Sequence, residues 1–101
     1  MLETPIYRFE GKVWPYPGEG SWHFITIPEQ LSQEIKEMFG YLSVGWGTLP
    51  VTATIGNTSW NTSIFRDKKT NSYLLPVKAE VRKKEKINIE NVIEVILQVR
   101  V

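Results

Sequence analysis

The sequence predicts a mainly β fold: a small antiparallel β-barrel or pseudobarrel of six or more strands, with one α-helix and room for a second short one. Three observations lead there. Short runs rich in β-branched and aromatic residues recur along the chain, several of them alternating apolar with polar. Closely spaced turn signals separate these runs. One stretch alone, Pro28 to Phe39, carries clear helical periodicity. Many short strands in a small chain leave exposed edges unless the sheet closes on itself, which argues for a barrel. At 101 residues, the chain is expected to form a single domain over 1–101.

Taken in order, Ile6 to Trp14 reads as a first strand whose inner face holds Tyr7, Phe9, Gly11 and Val13. Pro15 to Ser21 is a loop by its prolines and glycines. Trp22 to Ile27 follows as a strand with apolar groups on both faces. The helix places Leu31, Ile35, Met38 and Phe39 on one stripe. Pro28 suits its first turn, Thr26 and Glu29 have capping-box spacing, and Gly40 is expected to end it in the left-handed conformation. Three turns are marginal in isolation, so the stripe must dock on the sheet.

Trp46 between Gly45 and Gly47 predicts a bent strand or bulge. Val51 to Ile55, the Gly56-Asn57 turn and Ser59 to Phe65 read as a hairpin. Asp67 to Asn71 is a second, charged turn, and Ser72 to Leu75 returns as a short strand. Pro76 to Lys84 admits one or two helical turns, since Val77 and Val81 share a helical face. Ile93 to Val101 alternates cleanly as a strand buried on one side. Both halves run strand, loop, strand, helical segment, without an evident repeat in the letters.

Composition narrows the function classes. Apolar residues make up 42% of the chain and charged ones 23%, ordinary for a globular domain. There is no cysteine, which excludes disulfides, thiolate metal sites and cysteine nucleophiles. No apolar run approaches the roughly 18–20 residues of a membrane span, and Met-Leu-Glu-Thr-Pro lacks a signal-peptide pattern. No membrane association is expected, and the cytoplasm is the expected compartment. The net charge of +1 hides a polarity: residues 1–60 carry three basic against six acidic groups, residues 61–101 nine against five. That is far weaker than the footprint of a dedicated nucleic-acid binder.

Several motifs follow one another in order: Gly20-Ser-Trp-His-Phe-Ile-Thr-Ile-Pro28, Ile35-Lys36, Gly45-Trp46-Gly47, Val51-Thr-Ala-Thr-Ile-Gly56, Trp60-Asn-Thr-Ser63, Tyr73-Leu-Leu-Pro-Val-Lys78 and Val81-Arg82. Together they cover nearly the whole chain, and in them it resembles the domain of unknown function 1905 family. Where that family usually has Gly-Asp before the last strand, this chain has Glu90-Asn91. The resemblance implies a compact barrel related to the double-split barrels, a group that includes swapped-hairpin DNA-binding regulators and antitoxins. It implies no established activity or cofactor, and fold kinship does not carry function.

Candidate site residues are weighed against plainer roles. His23, the single histidine, lies in an apolar strand and reads first as a hydrogen-bonded structural residue, ahead of a general base or metal ligand. Of the four tryptophans, Trp14, Trp22, Trp46 and Trp60, about two are expected in the core; Trp22 and Trp60 are the candidates to line a pocket. Thr62, Ser63, Arg66, Lys78 and Arg82 combine hydroxyls with cations, a set suited to a phosphate or carboxylate, although the 82–86 run also suits a solvated face.

Enzyme signatures are missing: no nucleophile elbow, P-loop, His-Glu-x-x-His or dinucleotide glycine motif appears. The leading reading is a non-catalytic binding module with no cofactor and no metal, as a monomer or homodimer. It would use Trp22, Trp60, Thr62, Ser63, Arg66, Lys78 and Arg82 for a small anionic or aromatic ligand or a protein partner. The second is a nucleic-acid-binding or antitoxin-like regulator using the 66–86 region, where eight basic residues face three acidic ones. The third, and weakest, is an enzyme centred on His23.

Overall fold

A computed structural model describes residues 4–18, 20, 22–43, 45 and 47–101. Its elements are β1 (Ile6–Pro15), β2 (His23–Thr26), α1 (Glu29–Phe39), β3 (Leu49–Ile55), β4 (Thr58–Asp67), β5 (Ser72–Pro76), α2 (Ala79–Lys84) and β6 (Val92–Val99), with a 3₁₀ turn at Gly40–Leu42. The strands close into an antiparallel barrel in the order β1-β2-β5-β4-β3-β6. The expected mainly β barrel is what forms, and the Pro76–Lys84 stretch supplies its second helix.

The barrel is split in two places. In β1, Ile6 to Lys12 pair with β6, whereas Val13 to Pro15 pair with β2. In β4, Leu49 to Ile55 of β3 cover Thr58 to Ile64, and β5 covers Phe65 to Asp67. Each of these ten-residue strands thus belongs to two sheets and leaves a wedge where its partners part. This is the double-split arrangement that the resemblance implies.

The register also contains a two-fold relation. Exchanging β1 with β4, β2 with β5 and β3 with β6 maps the pairing onto itself, with the Ile25–Leu75 and Thr54–Ile96 pairs on the axis. It carries Val13 onto Ile64 and Ile27 onto Val77, and all four are buried. The same backbone bond recurs in both halves: Ile27 N–H donates to Tyr73 O and Val77 N–H donates to His23 O, each at 2.9 Å. The strand, loop, strand, helix order read from each half is therefore a structural repeat. The core lies between the sheets and takes Phe9, Ile25, Ala53, Trp60, Leu75 and Leu97 from six different strands.

Local chemistry departs from the expectations in three places. The α1 stripe buries Ile35 and Phe39, but Met38 is 55% exposed and Ser32 is fully buried instead. Ser32 is tolerated because its hydroxyl donates to Ile27 O (3.1 Å) and accepts from Tyr73 N–H (3.0 Å), tying helix to sheet. The capping box does not form. Pro28 is the N-cap, without a side-chain cap, because the Thr26 hydroxyl accepts from Trp14 Nε1 at 2.9 Å. Gly40 stays right-handed (φ −57°) and the chain continues into the 3₁₀ turn, so it is not a left-handed stop.

The hairpin at Gly56-Asn57 forms as read, with Gly56 at φ +58°. A Cβ on Gly56 would lie 2.1 Å from Glu85 Oε1, so the glycine also admits the carboxylate that ends α2. Glu85 Oε2 accepts from the Thr58 hydroxyl at 2.6 Å, locking α2 to this turn. The bulge expected around Trp46 falls on a residue outside those described.

Candidate functional site

The wedge at β4 is open and forms a cleft of about 670 Å³. Its floor is Trp60 to Ser63 with Phe65, where β4 passes from β3 to β5. One wall is the start of β2, Trp22 and His23, beside Pro76, Val77 and Lys78 at the end of β5. The other wall is Thr48, ahead of β3, and Arg100, after β6. Arg100 is fixed there by two bonds, its backbone N–H to Pro50 O (2.9 Å) and its Nε to Val51 O (3.3 Å).

The lining has a consistent electrostatic character. Lys78 and Arg100 stand on opposite walls, hydroxyls come from Thr48, Thr62 and Ser63, and no Asp or Glu among the described residues lines the cleft. The ion pair of Lys78 with Glu80 is long, 3.9 Å, and both side chains are more than half exposed, so it restrains Lys78 little. Such a cavity has the size of a small-molecule site, with apolar walls and a few polar groups.

Beside it lies an aromatic shelf. Phe24 points out of the barrel yet is 8% exposed, because Trp14, Tyr16, Trp22 and Phe65 surround it at centroid distances of 5.4–6.4 Å. Trp22 is nearly parallel to Phe24 (8°) and is itself 56% exposed. The loop between β1 and β2 sets this up: Tyr16 N–H donates to Trp22 O at 2.9 Å, so the loop brings two aromatics together at its base.

Five of the seven residues singled out from sequence meet in the cleft: Trp22, Trp60, Thr62, Ser63 and Lys78. Arg66 and Arg82 are not in its lining. Arg66 stacks its guanidinium over the Tyr73 ring, 5.3 Å from the centroid, and donates to Asn71 Oδ1. Burial pushes the Tyr73 phenol above its ordinary value, with Arg66 and a hydrogen bond to Ser43 opposing the shift. Arg82 donates from Nε to Val77 O (3.1 Å). Two-fold symmetry pairs it with Ser32, which bonds the equivalent Ile27 carbonyl, and that marks its contact as architectural.

His23, Thr48, Asn61 and Arg100 are additions to the site. Arg100 sits at the end of an alternating strand and resembles any solvent-facing residue there; only the folded register brings it opposite Lys78. The basic 66–86 residues come from several elements. Lys68 and Lys69 lie at the β4–β5 turn and Lys83 and Lys84 at the end of α2, with β5 between. Among the described residues, no cluster of three or more His, Cys, Asp or Glu could hold a metal ion.

The family model for a domain of unknown function (DUF1905) matches residues 9–97, nearly the whole barrel. The chain belongs to the DUF1905 family. No curated protein matches it. The DUF1905 match takes in the cleft floor, the β2–β5 wall and Lys78, and it ends before Arg100. Among the described residues, no helix of this DUF1905 domain is long and apolar enough to cross a membrane.

Proposed function

We propose that this DUF1905 domain is a binding module for a small organic anion, held in the β4 split between Lys78 and Arg100. The observation that carries the reading is the composition of the lining: two cations on opposing walls, three hydroxyls, and, among the described residues, no carboxylate. A carboxylate or phosphate placed there meets charge-assisted donors from both sides. The cleft volume of about 670 Å³ suits a small molecule.

The test is thermal denaturation with inorganic phosphate, acetate, citrate and phenyl phosphate, each at fixed ionic strength. A probe at ten times its Kd adds about 1.4 kcal/mol, which raises Tm by roughly 6–10 °C in a domain of this size. Lys78→Ala and Arg100→Gln should each reduce that shift while leaving the unliganded Tm close to wild type. If no probe shifts Tm, or if the two variants respond as wild type does, the reading is wrong.

A further inference from the structure

The anion cleft and the aromatic shelf are one continuous surface, and neither is accounted for by the other. Trp22 and Phe65 belong to both; Tyr16 and Phe24 complete the shelf, a groove of about 270 Å³ lined, among the described residues, by these four aromatic side chains. Tyr16 is 52% exposed and Trp22 56%, so two large rings stand in water at the rim of a cationic cleft.

Building outward from Trp22 gives the ligand its shape. One indole face lies over Phe24, nearly parallel at 8°, which leaves the ring oriented as a platform for a second flat ring. Gly20 backs it: at φ +91°, a conformation that favours glycine, its would-be Cβ lies 3.2 Å from Trp22 Cδ1, so any side chain there would be strained and would crowd the indole. Continuing the β2–β5 register by two residues places Lys78 opposite Trp22, so platform and cation stand on the same wall. Asn61, Thr62 and Ser63 of the floor and Arg100 of the far wall lie on the other side. A molecule that covers this whole surface has a planar aromatic ring at one end and an anionic group at the other.

We infer that the ligand is an aromatic anion, a planar ring bearing a carboxylate or phosphate, with its ring stacked on Trp22 and its charge between Lys78 and Arg100. This rests on the anion-binding reading above and adds the ring to it. The same chemistry occurs in a free aromatic acid or nucleotide and in a nucleotide unit of a single strand. The shelf presents its rings for stacking and lines its groove with aromatic side chains, with no row of hydrogen-bonding groups among the described residues to read a base edge, so the free molecule is the source it fits.

The experiment is a fluorescence and calorimetric titration of the full chain with five probes. Phenyl phosphate and 2-naphthoate are aromatic anions; inorganic phosphate and acetate lack the ring; benzyl alcohol lacks the charge. Stacking on one aromatic side chain should make phenyl phosphate bind at least about tenfold more tightly than inorganic phosphate. Trp22→Ala should erase that ratio, and the ratio is read within the one variant, so a change in its affinity for inorganic phosphate does not mask the result; Trp22 is 56% exposed, which keeps the substitution out of the core. Lys78→Ala with Arg100→Gln should weaken every anion.

Equal affinity for phenyl phosphate and inorganic phosphate, or a ratio that survives Trp22→Ala, overturns the aromatic inference and leaves the anion site standing. Absence of binding by all four anions overturns both. Adenosine 5′-monophosphate against a single-stranded oligoadenylate separates the sources: binding of the strand alone, with none of the free nucleotide, also overturns the inference.

Discussion

The two splits of the barrel are related by one rotation and are finished in opposite ways. At β1 the wedge is bridged by side chains. Trp14 Nε1 donates to Thr26 Oγ1 at 2.9 Å, and Lys12 Nζ reaches Glu90 at 3.4 Å. Gly11 makes room for Ile25, whose Cγ2 would lie 2.6 Å from a Cβ placed there. The two-fold relation carries Trp14 and Thr26 onto Phe65 and Pro76, Lys12 and Glu90 onto Ser63 and Thr48, and Gly11 onto Thr62. In that second set the polar bridge is replaced by a ring and a proline, and the ion pair by two short hydroxyls. All five line the open cleft. The fold thus provides two equivalent wedges, and the choice of side chains closes one and leaves the other as a site.

The largest expected effect comes from the floor of the closed wedge. Gly11→Ala pushes a methyl into Ile25, which is fully buried on the two-fold axis and held by strands on both sides. Overpacking of this kind costs about 1–3 kcal/mol. The equivalent change in the open wedge, Thr62→Ala, removes atoms from a half-buried position beside a cavity and should stay within about 0.5 kcal/mol. Urea denaturation of both variants checks the pair. Equal costs would mean that the wedges do not differ in packing.

A smaller effect is expected from the bridge itself. Trp14→Phe keeps a ring against Phe24 but removes the indole N–H, a loss of about 0.5–1.5 kcal/mol. The indole can be credited with the bridge only if Thr26→Val, combined with it, costs less than the two changes separately. A double-mutant cycle by urea denaturation measures that coupling, and strict additivity would show that the bond does not hold the wedge shut.

The legibility of this chain follows the range of the interactions. The six strands and α1 could be read because alternation and 3.6-residue spacing are local. Contacts between remote segments could not. The hydroxyl of Ser32 satisfies a carbonyl five residues back and an amide far along the chain, so a polar residue outside the expected apolar stripe is buried. Thr26 had the spacing of a capping box, and Trp14 from another strand took its hydroxyl. The same limit explains the site. Lys78, Trp60 and Thr62 lie in one stretch and could be grouped by eye. Arg66 and Arg82 belong to that stretch too, and the fold aims them at Tyr73 and the Val77 carbonyl. Arg100 enters the cleft only through the pairing of β6 with β3, which no local pattern announces.

The smallest effect tests which part of the closed wedge matters. Lys12 and Glu90 are 57% and 76% exposed at their side chains, and pairs this open are worth about 0–1 kcal/mol before salt screens them. Lys12→Ala should therefore leave stability within about 0.5 kcal/mol of wild type, and any loss should vanish as salt is raised. It should also leave phosphate binding unchanged, since Lys12 lies in the other wedge. A salt-independent loss above about 1 kcal/mol would mean that the ion pair closes the β1 split energetically. Ser63 and Thr48 would then mark the removal of a structural bond, and the open cleft would owe its existence to a missing brace as much as to the ring, hydroxyls and cations that line it.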